Sequence, residues 1–503
     1  MVFNSLSFLV FFPIVTALYF LLPHRYRWMM LLAASSVFYM YFVPKYILIL
    51  LFTIIVDYFA GIWIEQQRQK EGGGYKTAFL VLSIIANVGV LAFFKYFNFF
   101  NDNAAEIARF FGWNYPIEDL KILLPIGLSF HTFQAMSYTI EVYRGHHAAE
   151  RHFGIYALYV MFYPQLVAGP IERPQSLLQQ FHREHHFNET DAVEGLRLML
   201  FGMFQKVVIA DRVALIVNPV FDKPAAFHGL AIIIALVLFS FQIYCDFAGY
   251  SNIAIGAARV MGFRLMTNFN RPYMAQSVSE FWRRWHISLS TWFKDYVYLS
   301  LGGNRVGVFR QIFNFMVVFV ISGLWHGANW TYVIWGAIHG VCVSVALLIK
   351  KAKVALGVIS ETQNPPHPSM LVRNSRRVRV FLLVTIAWTF FRARNVSEAF
   401  YILRRCTAGV TEALSDLIHR QPMPTGISHS LGRIGPVIIV IVLLVIVEAI
   451  QERLGPQFRF AQIPTVARWA IYEILLLCIV FMCALCSWAP MAARSSSISS
   501  FRA

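Results

Sequence analysis

Two Trp-His pairs, Trp285-His286 and Trp325-His326, are the residues of this chain best suited to chemistry. A neutral imidazole within hydrogen-bond reach of a hydroxyl can take its proton as the oxygen attacks, a contribution of typically about 10²- to 10⁴-fold. His326 closes the stretch QIFNFMVVFVISGLWHG (311 to 327) and stands between Gly323 and Gly327, which have no side chains to block an approaching substrate. Basic residues flank 311 to 349 on both sides, so this stretch is expected to be a hairpin that rises through a bilayer and returns. Its rising arm of fifteen residues, 311 to 325, would reach about 22 Å against a core of about 30 Å. His326 is then expected at membrane depth, where an ionisable residue is a functional candidate; the plainer alternative is a packing histidine bonded to a carbonyl.

His286 lies in EFWRRWHISLSTWFKDYVYLSLGGNR (280 to 305), where Trp282, Trp285, Leu289, Trp292, Phe293 and Tyr296 recur at helical spacing. Arg283, Arg284, His286, Lys294 and Asp295 are too many charges for a face turned to lipid. The segment therefore reads as an amphipathic helix that is interfacial or re-entrant, ending at Gly302-Gly303-Asn304. Arg283 can hold an anionic group or serve as a snorkelling anchor, and the anchor is the simpler role.

Asp246, in IYCDFAGYSNIAIG, must be paired or hydrogen-bonded if buried; it can orient a histidine or arginine, or bond backbone donors at a broken helix. Trp325 and Asn329, on either side of the His326 turn, complete the set of candidate passage residues. His146, His147, His182, His185 and His186 fall in charged loops and read as solvated. Cys483 and Cys486 form a C-x-x-C inside an apolar run and read as helix-packing residues, so neither a metal site nor a disulfide framework is expected.

The elements that hold these residues belong to a membrane. Of 503 residues 58% are apolar and only 14% charged, where a soluble chain carries about 25% charged residues. The net charge of +17 is then the signature of basic cytoplasmic loops and not of nucleic-acid binding. Apolar runs near 5 to 22, 28 to 43, 46 to 64, 77 to 94, 122 to 143, 153 to 170, 230 to 250, 311 to 325, 330 to 349, 380 to 391, 434 to 450 and 469 to 488 indicate an all-α polytopic membrane protein. About ten to twelve transmembrane helices are expected, with re-entrant or interfacial helices besides. The first run has no basic residue before it and reads as a retained span. An N-terminus outside puts Arg25, Arg27, Arg68, Lys70 and Lys76 in the cytoplasm and only Lys45 opposite. The stretch 350 to 379, with its Asn364-Pro365-Pro366 breaker, is a further cytoplasmic loop, and the Ser-rich tail 494 to 503 is expected to be disordered. Residues 1 to 503 read as one integral-membrane domain.

The motifs PIGLSFHTFQAMSYTIEVYRG (125 to 145), FYPQLVAGPIERP (162 to 174), YCDFAGYSNIAIG (244 to 256), NFNRPYMAQSVSEFWRRWHISLSTWFKDYVYLSLGGNR (268 to 305), SGLWHGANWTYVIWGAIHG (322 to 340) and WTFFRA (388 to 393) resemble the membrane-bound O-acyltransferases, in the bacterial branch similar to alginate O-acetyltransferase. The likeness covers most of 120 to 395. It implies that His326 is the essential catalytic histidine and that His286 holds the second characteristic polar position. It further implies acetyl transfer from a cytoplasmic thioester, most simply acetyl-CoA, with no bound cofactor, to a hydroxyl of a surface polysaccharide, in a bacterial inner membrane and with a periplasmic partner. Asn252 departs from the Asp usual in this branch, and the closing SWAPMAARSSSISSFRA lacks the short aromatic end that many members have. Peptidoglycan and teichoic acid stay open as acceptors, the latter receiving D-alanyl. A transporter or flippase would instead show paired interrupted repeats, which are absent from the sequence, and a non-catalytic export scaffold would leave both Trp-His elements without a use.

Overall fold

The computed structural model describes residues 1–70, 74–121, 125, 127–227, 229–357, 369–418, 425–455 and 462–487. The breaker at Asn364 and the tail from Arg494 lie outside the described residues. Every element among those described is helical, as a chain in lipid requires when it must satisfy each backbone N–H and C=O within its own segment.

Seven helical segments among the described residues are long and apolar enough to cross a membrane: Pro44–Gln69, Lys76–Phe110, Gly229–Val260, Val308–His326, Trp330–Ala355, Ile434–Leu454 and Thr465–Ala484. The all-α polytopic architecture is the expected one, but apolar runs outnumber these spans for identifiable reasons. Leu6–Leu21 has 16 residues and reaches only about 24 Å. The run at 153 to 170 breaks at Phe162 into Phe153–Met161 and the proline-containing Tyr163–Leu166, and from Gly154 onward it is buried on every side, which is why it is apolar on every side. The run at 380 to 391 is the end of Met370–Arg392, whose first turns carry Arg373, Arg376, Arg377 and Arg379.

The chain forms two compact units. Residues 1–203 with 250–267 make the first, built around the mutually packed helices Ile47–Gln69, Lys76–Leu91 and Leu128–Arg144. At its centre the fully buried Asp57 carboxylate accepts hydrogen bonds from Ser83 Oγ (2.5 Å) and Asn87 Nδ2 (2.8 and 2.9 Å), the compensation a buried carboxylate needs. In this unit His146 and His182 are exposed at the surface, but both have carboxylate partners, Glu141 (3.0 Å) and Glu150 (2.7 Å). The second unit comprises 204–249 and the residues from 268 onward. It contains every candidate site residue.

Candidate active site

The segment read as one amphipathic helix is broken at its histidine. Ser277 caps Val278–Arg284 by accepting the Glu280 N–H (3.1 Å), and Glu280 reaches back to the Gln276 N–H (2.8 Å), close to a capping box. Trp285 then turns extended and His286 takes a left-handed conformation, φ 43°, before Ile287–Phe293 begins. Among the described residues only Arg271 and His286 hold positive φ without being glycine, a conformation costing of order 1 kcal/mol or more. A strap supplies what holds it: the Asn270 N–H donates to the Arg284 carbonyl and the Ile287 N–H to the Asn268 carbonyl, both at 2.9 Å.

Asn268 also fixes the ring of His286. Its Oδ1 accepts from the Ser288 N–H (3.3 Å) and Ser288 Oγ (2.9 Å) and stands 3.2 Å from His286 Nδ1. An atom that accepts from a backbone N–H is the amide oxygen, so Nδ1 donates and Nε2 keeps the lone pair. Phe247 meets the His286 ring edge-on at 4.6 Å and Trp325 at 6.1 Å. Burial pushes this imidazole down from its ordinary value to about 3. A ring so hard to protonate is neutral at physiological pH and a poor proton acceptor.

His326 is the last residue of Val308–His326. That helix starts three residues earlier than expected, and its 19 residues span about 28 Å, close to the full hydrocarbon core. The rising arm is therefore not short, and His326 stands near the far end of a complete span. Three rings surround it, Trp325 at 4.9 Å, Trp335 at 5.1 Å and Phe391 at 5.3 Å. The flanking glycines also serve a different end from an open approach. A Cβ on Gly323 would lie 2.2 Å from the Tyr332 carbonyl oxygen and one on Gly327 2.1 Å from the Tyr332 ring. They let Val308–His326 and Trp330–Ala355 pack at close range, as small residues do in membranes.

Trp325 joins the two histidines, since its ring faces both His286 and His326. The remaining candidates have other occupations. Asn329 caps Trp330–Ala355, accepting from the Thr331 N–H (2.9 Å) and donating to the Arg394 carbonyl (3.0 Å). Arg283 is exposed. Among the described residues Asp246 orients neither a histidine nor an arginine; it is ion-paired with Lys206, which also holds Asp211 at 3.0 Å.

Several residues of this region escape a reading of the sequence. Lys206 and Glu448 are visible there only as single charges within apolar stretches, and Glu448 accepts the Tyr244 hydroxyl. One turn on, Glu452 takes a bidentate pair from Arg284 (2.7 and 3.0 Å) and faces Arg271 (3.1 Å), anchoring the end of Val278–Arg284 just before the break. His339 lies four residues after Trp335 on the returning arm, and its ring is 5.1 Å from that indole.

The family profile of the membrane-bound O-acyltransferases matches residues 146–354, a range that includes Lys206, Asp246, His286, His326 and His339. The chain is 40% identical to the probable alginate O-acetylase AlgI of Pseudomonas aeruginosa over 418 residues, 83% of this chain and 77% of that one. The chain belongs to the membrane-bound O-acyltransferase family. The peptidoglycan O-acetyltransferase of Helicobacter pylori is 35% identical over 74% of this chain and 72% of its own. The teichoic acid D-alanyltransferase of Streptococcus thermophilus is 28% identical over 46% and 59%. This O-acyltransferase is thus a multi-pass membrane enzyme whose two Trp-His elements are packed together in one unit.

Proposed function

We propose that this protein moves an acetyl group from a cytoplasmic thioester, most simply acetyl-CoA, to a hydroxyl destined for an alginate-like surface polysaccharide. The observation that carries this reading is the aromatic cage of His326 at the far end of its span, with Trp325 shared by His286. In the proposed step the acceptor oxygen attacks the thioester carbonyl carbon while His326 takes its proton. The C–S bond breaks, and the departing thiolate receives that proton to leave as free thiol. His286, pushed toward neutrality by burial, has a shaping role in this scheme: its ring borders the donor's passage and takes no proton. Acetylation of alginate is favoured over peptidoglycan O-acetylation or D-alanyl transfer by the order of identities, 40%, 35% and 28%.

The proposed setting is the inner membrane of a bacterium, with the N-terminus outside, the donor entering from the cytoplasm and a periplasmic protein receiving or directing the acetyl group. Cells lacking the protein should lose ester-linked acetate from their extracellular polysaccharide and regain it when the gene is restored. Acetate retained on alginate-like polymer but lost from peptidoglycan would move the reading to that acceptor.

A further inference from the structure

The two histidine-bearing elements meet at a third histidine. His339, on the membrane-spanning helix Trp330–Ala355, is only 2% exposed. The Trp282 indole Nε1–H donates to its Nδ1 at 3.3 Å. Because an indole nitrogen donates only, His339 Nδ1 must accept, which places its proton on Nε2. Trp282 sits on the short helix leading into His286, four residues before that histidine. On its other side the His339 ring lies 5.1 Å from Trp335, and Trp335 stands edge-on to His326 at 5.1 Å.

Packing alone does not ask for an imidazole here. The ring is enclosed by Phe281, Phe319, Trp282 and Trp335, a place that phenylalanine or leucine would fill without burying polar atoms. Its Nε2 has no hydrogen-bond partner among the described residues, a cost that an apolar residue would avoid. What histidine adds is an acceptor for the Trp282 N–H, in a region of the bilayer where water supplies none. We propose that His339 is a positioning residue that ties the His286 element to the His326 hairpin and thereby sets the spacing between the two sites. The proposal rests on the acyl-transfer reading above.

The test is a double-mutant cycle on transfer by the full-length protein in membranes, with Trp282→Phe, His339→Phe and their combination, and His339→Asn as the conservative variant. Each single change should lower kcat about tenfold with the donor KM nearly unchanged, and the double variant should be no slower than the slower single one, as for two partners in one interaction. His339→Asn, whose amide oxygen can take the place of Nδ1, should recover a large part of the rate. Losses that multiply in the double variant, or a His339→Phe protein as fast as the wild type, would overturn the coupling. If His339→Phe does not accumulate, Trp282→Phe decides the matter, because wild-type transfer by that variant is incompatible with the proposal. An inactive wild-type protein in the same assay would instead count against acyl transfer itself.

Discussion

His326→Gln is expected to bring surface O-acetylation down to background while the protein still accumulates in the membrane. Glutamine keeps the approximate size and some hydrogen bonding of histidine inside the cage of Trp325, Trp335 and Phe391. It cannot take the acceptor's proton, and that loss alone is worth typically about 10²- to 10⁴-fold. His186→Gln is the matched control, since His186 is exposed in the first unit and its loss should leave ester-linked acetate at the wild-type level. His286→Gln should also impair transfer, since in the proposed scheme that ring shapes the donor's passage without taking a proton. Near-normal acetylation by a well-expressed His326→Gln protein would remove the catalytic assignment.

Lys206→Met should give the largest loss of stability. The Lys206 ammonium is paired with both Asp246 and Asp211, and the three side chains are 9%, 13% and 22% exposed. Removing it leaves two mutually repelling carboxylates close together, with Asp211 still in the field of Arg212 but Asp246 stripped of its ion-pair partner, a change that costs about 3–5 kcal/mol at a buried site. The melting temperature in detergent should fall by many degrees, or the protein should fail to accumulate. Adding Asp246→Asn to Lys206→Met should recover part of the loss, since one of the two stranded charges is gone. A Lys206→Met protein that melts with the wild type would mean that the ammonium contributes nothing to this cluster.

The membrane class and both Trp-His elements are legible in the residues themselves, because a chain of this length that is 58% apolar and 14% charged cannot cover its surface with polar groups in water, and a histidine beside a tryptophan in an apolar run is hard to dismiss. The break at Trp285-His286 is not legible, since the apolar spacing of Trp282, Trp285, Leu289 and Trp292 continues through it undisturbed. The cause is the Asn268 strap, 18 residues away in sequence, which no local pattern announces. The same holds for Asp246. Its need for a partner is plain from its surroundings, but the partner, Lys206, lies 40 residues upstream, and only the folded chain brings the two together. The glycines beside His326 are legible only as missing side chains that leave room; what fills that room is the Tyr332 backbone and ring and not a substrate, which is a matter of how two helices pack.

Vectorial transfer in sealed vesicles tests the central claim most directly. The purified protein is reconstituted in one orientation, with acetyl-labelled acetyl-CoA supplied only on the cytoplasmic side and a polysaccharide acceptor, with its periplasmic partner where required, only on the other. Free CoA should appear on the donor side in step with labelled ester on the acceptor side, and both should vanish in His326→Gln vesicles. Label reaching the acceptor equally well in vesicles carrying His326→Gln, or CoA release that ignores the presence of acceptor, would contradict the account.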